Sequence, residues 1–266
     1  MRKLWIAVAA AAVAALAVAG IASAVNTYEV HIASGSPTKP KGSLTAPVPS
    51  KLNFGYRVGD SDNLRPSVVT RYFIAAEGLK SFPKSRPTCT FTQATQSPAY
   101  ARACRAAIVG SGRIDNEAGA PNDRAQKLPC SVDLTLINIS NGPGVTKKRG
   151  GMAIRIDTED DTDRCPIQIH DALAAPFFDV KIEGIPTSEL RFTVPDSLAH
   201  PSGLDNAVRV VVSTVNKVTG KVKIKGQNRT VGYYSAVGRK GAKRTVRVTF
   251  VAETGQRSTA TTTYPK

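Results

Sequence analysis

The sequence has little with which to do acid–base, redox or metal chemistry. Histidine occurs three times in 266 residues, at His31, His170 and His200, and none sits in a supporting motif. His31 lies next to a low-complexity stretch, His170-Asp171 follows an expected strand, and His200-Pro201 falls in a loop. Gly110-Ser111-Gly112 is not a nucleophile elbow, which needs a glycine two residues from the serine on each side. Cysteine is limited to Cys89, Cys104, Cys130 and Cys165, with no C-x-x-C, and spacings of 15, 26 and 35 residues do not match a zinc module. No recognised DNA- or RNA-binding motif is present, so with the export signal described below nucleic acid is not the expected partner. Acidic residues are absent from the whole stretch between Asn206 and Ala252, and the chain has no reliable internal repeat.

What is present is an apolar content of 41%, enough to fill the core of one large β domain or two small ones, and a net charge of +16. That charge favours polyanions or anionic surfaces as partners. Arg2-Lys3 precede an apolar run from Leu4 to Ile21 that ends in Ala22-Ser23-Ala24, the pattern of a signal peptide cleaved after residue 24. The run is nearly long enough to span a bilayer, so an uncleaved N-terminal membrane anchor is the alternative. No cysteine sits at the cleavage site, which argues against lipoprotein processing. Loss of Arg2 and Lys3 leaves 34 basic residues against 20 acidic, a net +14. Export to an oxidising compartment turns the four cysteines into two disulfides. Three pairings are open, and the sequence-local one is Cys89–Cys104 with Cys130–Cys165.

Residues 25–50 are rich in Ser, Thr, Pro, Gly and Lys and read as a flexible spacer, leaving 51–266 as the β-rich domain. Leu52, Phe54, Tyr56 and Val58 fall on alternate positions, the mark of a half-buried strand. Residues 59–63 turn the chain, and Val68 to Ala76 supplies a second strand as a partner for the first. From Ser97 to Ala107 a short Ala-rich helix is expected, with Pro98 at its first position. Gly110 and Gly112 predict a bulge or a close backbone approach. Alternation then recurs at Val132/Leu134/Leu136, Ile154/Ile156, Phe178/Val180/Ile182, Leu190/Phe192/Val194 and Val246/Val248/Phe250, and Val208 to Val215 is almost wholly β-branched. Short strands joined by Gly, Pro and Asn turns predict an antiparallel β-sandwich or barrel-like sheet with one short helix.

Phe82-Pro83, Thr88-Cys89, Ala103-Cys104, Ala107 to Gly112, Leu136-Ile137-Asn138 and Gly255-Gln256 together resemble a group of uncharacterised secreted β-rich proteins of high-GC Gram-positive bacteria. The resemblance covers most of the chain after residue 50. It implies export, the Cys89–Cys104 pairing and a β domain, and assigns no activity. Members of that group often carry a further cysteine pair near the C-terminus, where this chain has Arg239 or Lys240 and Lys266, which implies a terminal hairpin without a covalent staple.

Two constellations remain. Asp157, Glu159, Asp161 and Asp163 resemble the opening of a calcium loop, but the EF-hand pattern fails at Thr162 and Gln168, where Gly and Glu are needed. A looser calcium site competes with a plain solvated acidic loop. The second constellation is basic. In Lys221-Val222-Lys223-Ile224-Lys225 a period of two puts three ammonium groups on one strand face, with Arg239, Lys240, Lys243 and Arg244 in a turn beside it. Lysines that merely guard an edge strand against aggregation give the same pattern. The function expected from compartment and charge is that of an exported, non-catalytic binding or structural protein. Its partner would be an anionic cell-envelope polymer or membrane surface, met through that basic face. A carrier of a small apolar ligand or lipid between the sheets is the alternative, which a cavity in the fold would favour, and a secreted hydrolase is the third reading, which a His–carboxylate–Ser cluster would revive. The oligomeric state is not set by the sequence.

Overall fold

A computed structural model of the chain describes residues 25–36, 42–158, 165, 167–238 and 243–264. The expected signal segment, residues 1–24, lies outside them. The described strands are β1 (Asn26–Ser36), β2 (Val48–Asp60), β3 (Val69–Ala76), β4 (Leu79–Ser81), β5 (Ile108–Gly119), β6 (Leu128–Ile139), β7 (Gly151–Asp157) and β8 (His170–Ile182). They continue with β9 (Ile185–Thr193), β10 (Asp205–Val215), β11 (Thr219–Ile224), β12 (Gln227–Gly232), β13 (Tyr234–Ala236), β14 (Arg244–Ala252) and β15 (Arg257–Tyr264). Short helices α1 (Phe91–Thr95), α2 (Tyr100–Ala103) and α3 (Asp196–Ala199) complete the framework.

The protein is mainly β, built on one large antiparallel sheet in the order β15-β14-β3-β9-β8-β7-β6-β5-β10-β2-β13-β4, with β1 also paired to β2. The sheet curls until its margins meet other strands. At one margin β1 lies along β15, and the ring of Tyr28 stacks on Phe250 at 4.4 Å between centroids. There the Gln256 side chain accepts from the Asn26 amide and donates to the Asn26 carbonyl, both at 3.0 Å, so that one side chain imitates a strand partner. At the other margin the backbone amides of Gly78 and Ser81 donate to the hydroxyls of Thr187 and Ser188 on β9.

Alternating residues of β2, β6, β7 and β14 face a single interior, as the periodicity of 52–58, 132–136, 154–156 and 246–250 requires. In β10 the inward set changes parity, from Asn206 and Val208 to Val211, Ser213 and Val215. The cause is a bulge opposite β5, where the register shifts between Val208 and Val210. Gly110 and Gly112 meet the β10 backbone so closely that a Cβ on Gly110 would lie 2.1 Å from the Thr214 carbonyl oxygen. Burial pushes the hydroxyls of Tyr56, Tyr72, Tyr233 and Tyr234 well up from the usual phenol value. Burial raises Tyr264 too, to about 12, so all five stay neutral, and the Tyr233 hydroxyl donates to the Gly151 carbonyl at 3.2 Å.

Several expectations need correction. Residues 26–36 are not spacer but the strand β1, whose inward residues Tyr28 and Val30 are followed, after a register shift before Ile32, by Ala33, so that polar neighbours and a bulge together hide the alternation. The strand at 69–76 does not pair with β2. It lies between β9 and β14, because the chain crosses over through the buried Arg65 instead of turning back in a hairpin. In β8 the inward side chains are Leu173, Ala175 and Phe177, whereas Phe178 and Val180 lie half-buried on the outer face.

The helical region is also divided. Thr90 and Gln93 form a reciprocal capping box that starts α1, and α2 begins only at Tyr100. The disulfides join Cys89 to Cys104 and Cys130 to Cys165, as the local pairing requires. The first clasps α1 and α2 over the outer face of β6 to β8, where Ile137, Ile139 and Ala153 form a second small core. That cover buries Arg155 completely. Its guanidinium donates to Thr95 O at 2.7 Å and to Asp157 at 2.6 Å, with the Tyr100 ring 4.7 Å away.

Candidate anion-binding groove

The hairpin β11–β12 stands off the main sheet and turns through Lys225-Gly226, both at positive φ (48° and 79°). Two central residues of that conformation make the tight turn that suits strand twist. Lys225 is therefore a turn residue, and the strand itself carries Lys221 and Lys223, both exposed, opposite the half-buried Val222 and Ile224. Gly220 lets the hairpin approach the single helical turn at 83–85. A Cβ there would fall 1.7 Å from the Ser85 carbonyl oxygen, so only glycine fits.

Between this hairpin, the 80–84 segment and the 146–150 turn runs an open groove of about 650 Å³. Its floor is apolar, with Phe82, Pro83, Phe178, Val222 and Ile224. Around it stand Lys80, Lys84, Lys147, Lys148, Arg149 and Lys223, against one carboxylate, Asp179, which is held by Lys80. The Arg149 guanidinium lies 4.0 Å from the centre of the Phe178 ring, and that of Arg191 lies 4.1 Å from the same centre. Phe178, expected in the core, is thus the aromatic base of a cationic surface.

Of the basic residues singled out from sequence, only Lys223 lines this groove among the described residues. Lys221, Lys225 and Lys243 are exposed elsewhere. Arg244 is a correction: it is buried to 1% exposure as the first residue of β14, and its Nη1 donates to the Glu77 carbonyl at 2.6 Å. Arg239 and Lys240 lie outside the described residues. Sequence reading missed Lys80, Lys84 and the cluster Lys147-Lys148-Arg149 as groove residues, because each is a short run in a different part of the chain. Only the triple at 147–149 is a local signal.

The other candidates lose ground. Both oxygens of Asp157, the first residue of the calcium reading, accept from Arg155, and His170 Nδ1 lies 3.2 Å from one of them. Glu159, Asp161 and Asp163 lie outside the described residues, and among the described residues no group of three metal-ligating side chains occurs. His200 faces a carboxylate with each ring nitrogen, Nδ1 with Asp205 at 3.0 Å and Nε2 with Glu253 at 3.3 Å, an ion-pairing arrangement and not one that presents it to a serine. His31 is held below the usual histidine value by burial and by the charge of Arg57. No histidine is hydrogen-bonded to a serine, threonine or cysteine among the described residues.

No family model matches the chain, and neither does any curated protein or solved structure. The two disulfides suit an oxidising, extracytoplasmic compartment, and no helix among the described residues is long and apolar enough to cross a membrane.

Proposed function

We propose that this is an exported, non-catalytic binding protein of the cell envelope that holds an anionic component in the groove beside β11–β12. The observation that carries the reading is the ring of six cationic side chains around an apolar floor, with a single, already paired, carboxylate. An apolar floor favours the headgroup region of an anionic lipid over a wholly polar wall polymer. The carrier alternative draws instead on the interior of the sheet, and a hydrolase has no supporting cluster among the described residues.

Such contacts are surface contacts, worth about 1 kcal/mol per lysine near an anionic membrane and screened by salt. Replacing Lys147, Lys148 and Lys223 together by Gln is expected to weaken binding to anionic vesicles on the order of a hundredfold. Replacing Lys221 and Lys225 should cost far less. Vesicle sedimentation at low and high salt measures both, with zwitterionic vesicles and isolated wall polymer as the comparison arms. If the triple variant binds like the wild type, or the wild type binds no anionic surface at low salt, Lys147 and Lys148 are solvated surface charges and Lys223 serves only to guard the hairpin edge.

Export by a signal peptide cleaved after Ala24 is supported by the Ala-x-Ala end of the apolar run, and the sheet begins directly after it, at Asn26. N-terminal sequencing of protein from the native host should return Val25 as the first residue. A chain that still starts at Met1 and sediments with membranes would show the anchor instead.

A further inference from the structure

The interior of the barrel-like sheet contains a cavity of about 120 Å³ with walls from β2, β3 and β5 to β10. Most of the lining is apolar, with Leu136, Met152, Leu173 and Phe192 among the side chains. Dry cavities of this size, lined by Leu, Ile and Phe, accept a benzene-sized guest. Two features set this one apart from an ordinary packing gap. Asn116 and Asn206 both line it, at 6% and 7% exposure, and in each the side-chain oxygen has no hydrogen-bond partner.

Their placement is specific. Asn206 is opposite Ala118 and Asn116 opposite Val208, so the two amides are diagonal neighbours on the inward face of β5 and β10. Asn206 Nδ2 donates to the Leu198 carbonyl at 3.0 Å, which fixes the amide and leaves its oxygen as the free group. Leu198, on α3, covers the same end of the cavity. A buried acceptor without a donor costs free energy that an apolar replacement would not incur. Two such acceptors on one wall of a mainly apolar chamber, whose other polar groups are the hydroxyls of Tyr56, Tyr72, Ser213 and Tyr234, are complementary to a donor brought in by a guest.

We propose that this cavity binds a compact, ring-sized apolar molecule bearing one hydroxyl or N–H group, the donor directed at the Asn116 oxygen, with the Asn206 amide beside it, and the apolar body against Leu136, Met152, Leu173 and Phe192. The site is independent of the surface groove, so either can fail alone. Phenol and benzene, titrated calorimetrically into the full disulfide-bonded protein, form the matched probe pair. Both should saturate one site, with phenol about tenfold tighter. In Asn116→Leu, which removes one of the two unpartnered oxygens, the preference for phenol should fall at least threefold while benzene still binds. Should that variant fail to fold, the side-chain amide resonances of Asn116 and Asn206 in the wild type give the second readout, and they should shift with phenol and not with benzene. Absence of saturable binding by either probe, equal affinity for both in the wild type, or amide resonances indifferent to phenol would each overturn the proposal.

Discussion

Replacing Arg65 by Ala should cost about 3–5 kcal/mol, the usual penalty when one partner of a buried charged network is removed. The guanidinium is fully buried and donates to the carbonyls of Ala120, Asp123 and Gln126 at 3.0 Å or less, and to Asp205 Oδ2 at 3.0 Å. Those carbonyls belong to the loop between β5 and β6, which has no ladder to satisfy it, and Arg65 takes the ladder's place. Arg124 reciprocates from the loop, donating to the Arg65 carbonyl at 2.8 Å and to Asp60 at 2.5 Å. Burial alone would raise the Asp60 carboxyl, but Arg124 and the amides of Leu64 and Asp62 outweigh it and hold it below its ordinary value. Gly119 is part of the same device, since a Cβ there would lie 2.0 Å from Arg65 Nη1. Lys at 65 should rescue little, because one ammonium cannot replace a planar fork that serves four acceptors. Urea denaturation of Arg65→Ala and Arg65→Lys checks this, and a loss below about 1 kcal/mol in the Ala variant would show that the loop is held by something else.

Removing the disulfides should cost nearly as much, and unequally. On the loop-entropy model the 15-residue loop of Cys89–Cys104 restricts the unfolded chain by about 3 kcal/mol and the 35-residue loop of Cys130–Cys165 by about 4. The consequences differ in place. Cys130 is wholly buried and packs in the main interior, so paired Cys130→Ala and Cys165→Ala changes should lower the global unfolding midpoint. Cys89 and Cys104 belong to the satellite core under α1 and α2. Their paired replacement should release amide protection first in residues 89–107 and in the β7 amides around Arg155, ahead of the barrel. Hydrogen exchange resolved by peptide, beside urea titration, reads both effects. Uniform loss of protection in the Cys89/Cys104 variant would mean that the clasp and the barrel are one cooperative unit, contrary to this expectation.

The parts of the fold legible from sequence are those in which one side of a strand meets the core and the other meets water. Phe54 and Tyr56, Leu134 and Leu136, Val246 and Val248 announce themselves because their neighbours are polar. The reading fails where both faces are covered. Between Ala172 and Phe178 the residues on both sides are mostly apolar, since the satellite core covers one face and the interior the other, and the phase of the strand is then unreadable. Arg155 looks like a solvent residue for the same reason: nothing local reveals that α1 will lie over it. A bulge near Arg209 resets the inward set of β10, and a run of valines conceals the reset. Thr90 and Gln93 were a readable signal for α1, at the spacing of a capping box. Of the groove, sequence supplied Lys223 and the charge imbalance, while the co-location of residues 80, 84, 147–149 and 223 is a product of chain crossing alone.

The pairing of the Gln256 side chain with the backbone of Asn26 bears on the order in which the molecule can assemble. The two residues are 230 positions apart, and they join the first strand to the turn of the last hairpin. A chain that emerges N-terminus first offers β1 early, yet the surface it must settle against does not exist until β14 and β15 have appeared. Partial chains can form inner hairpins such as β5–β6 or β8–β9, but their sheet keeps an open margin. Such long-range closure makes folding slow for the chain's size and concentrates the risk of wrong pairing in the interval before the last hairpin arrives.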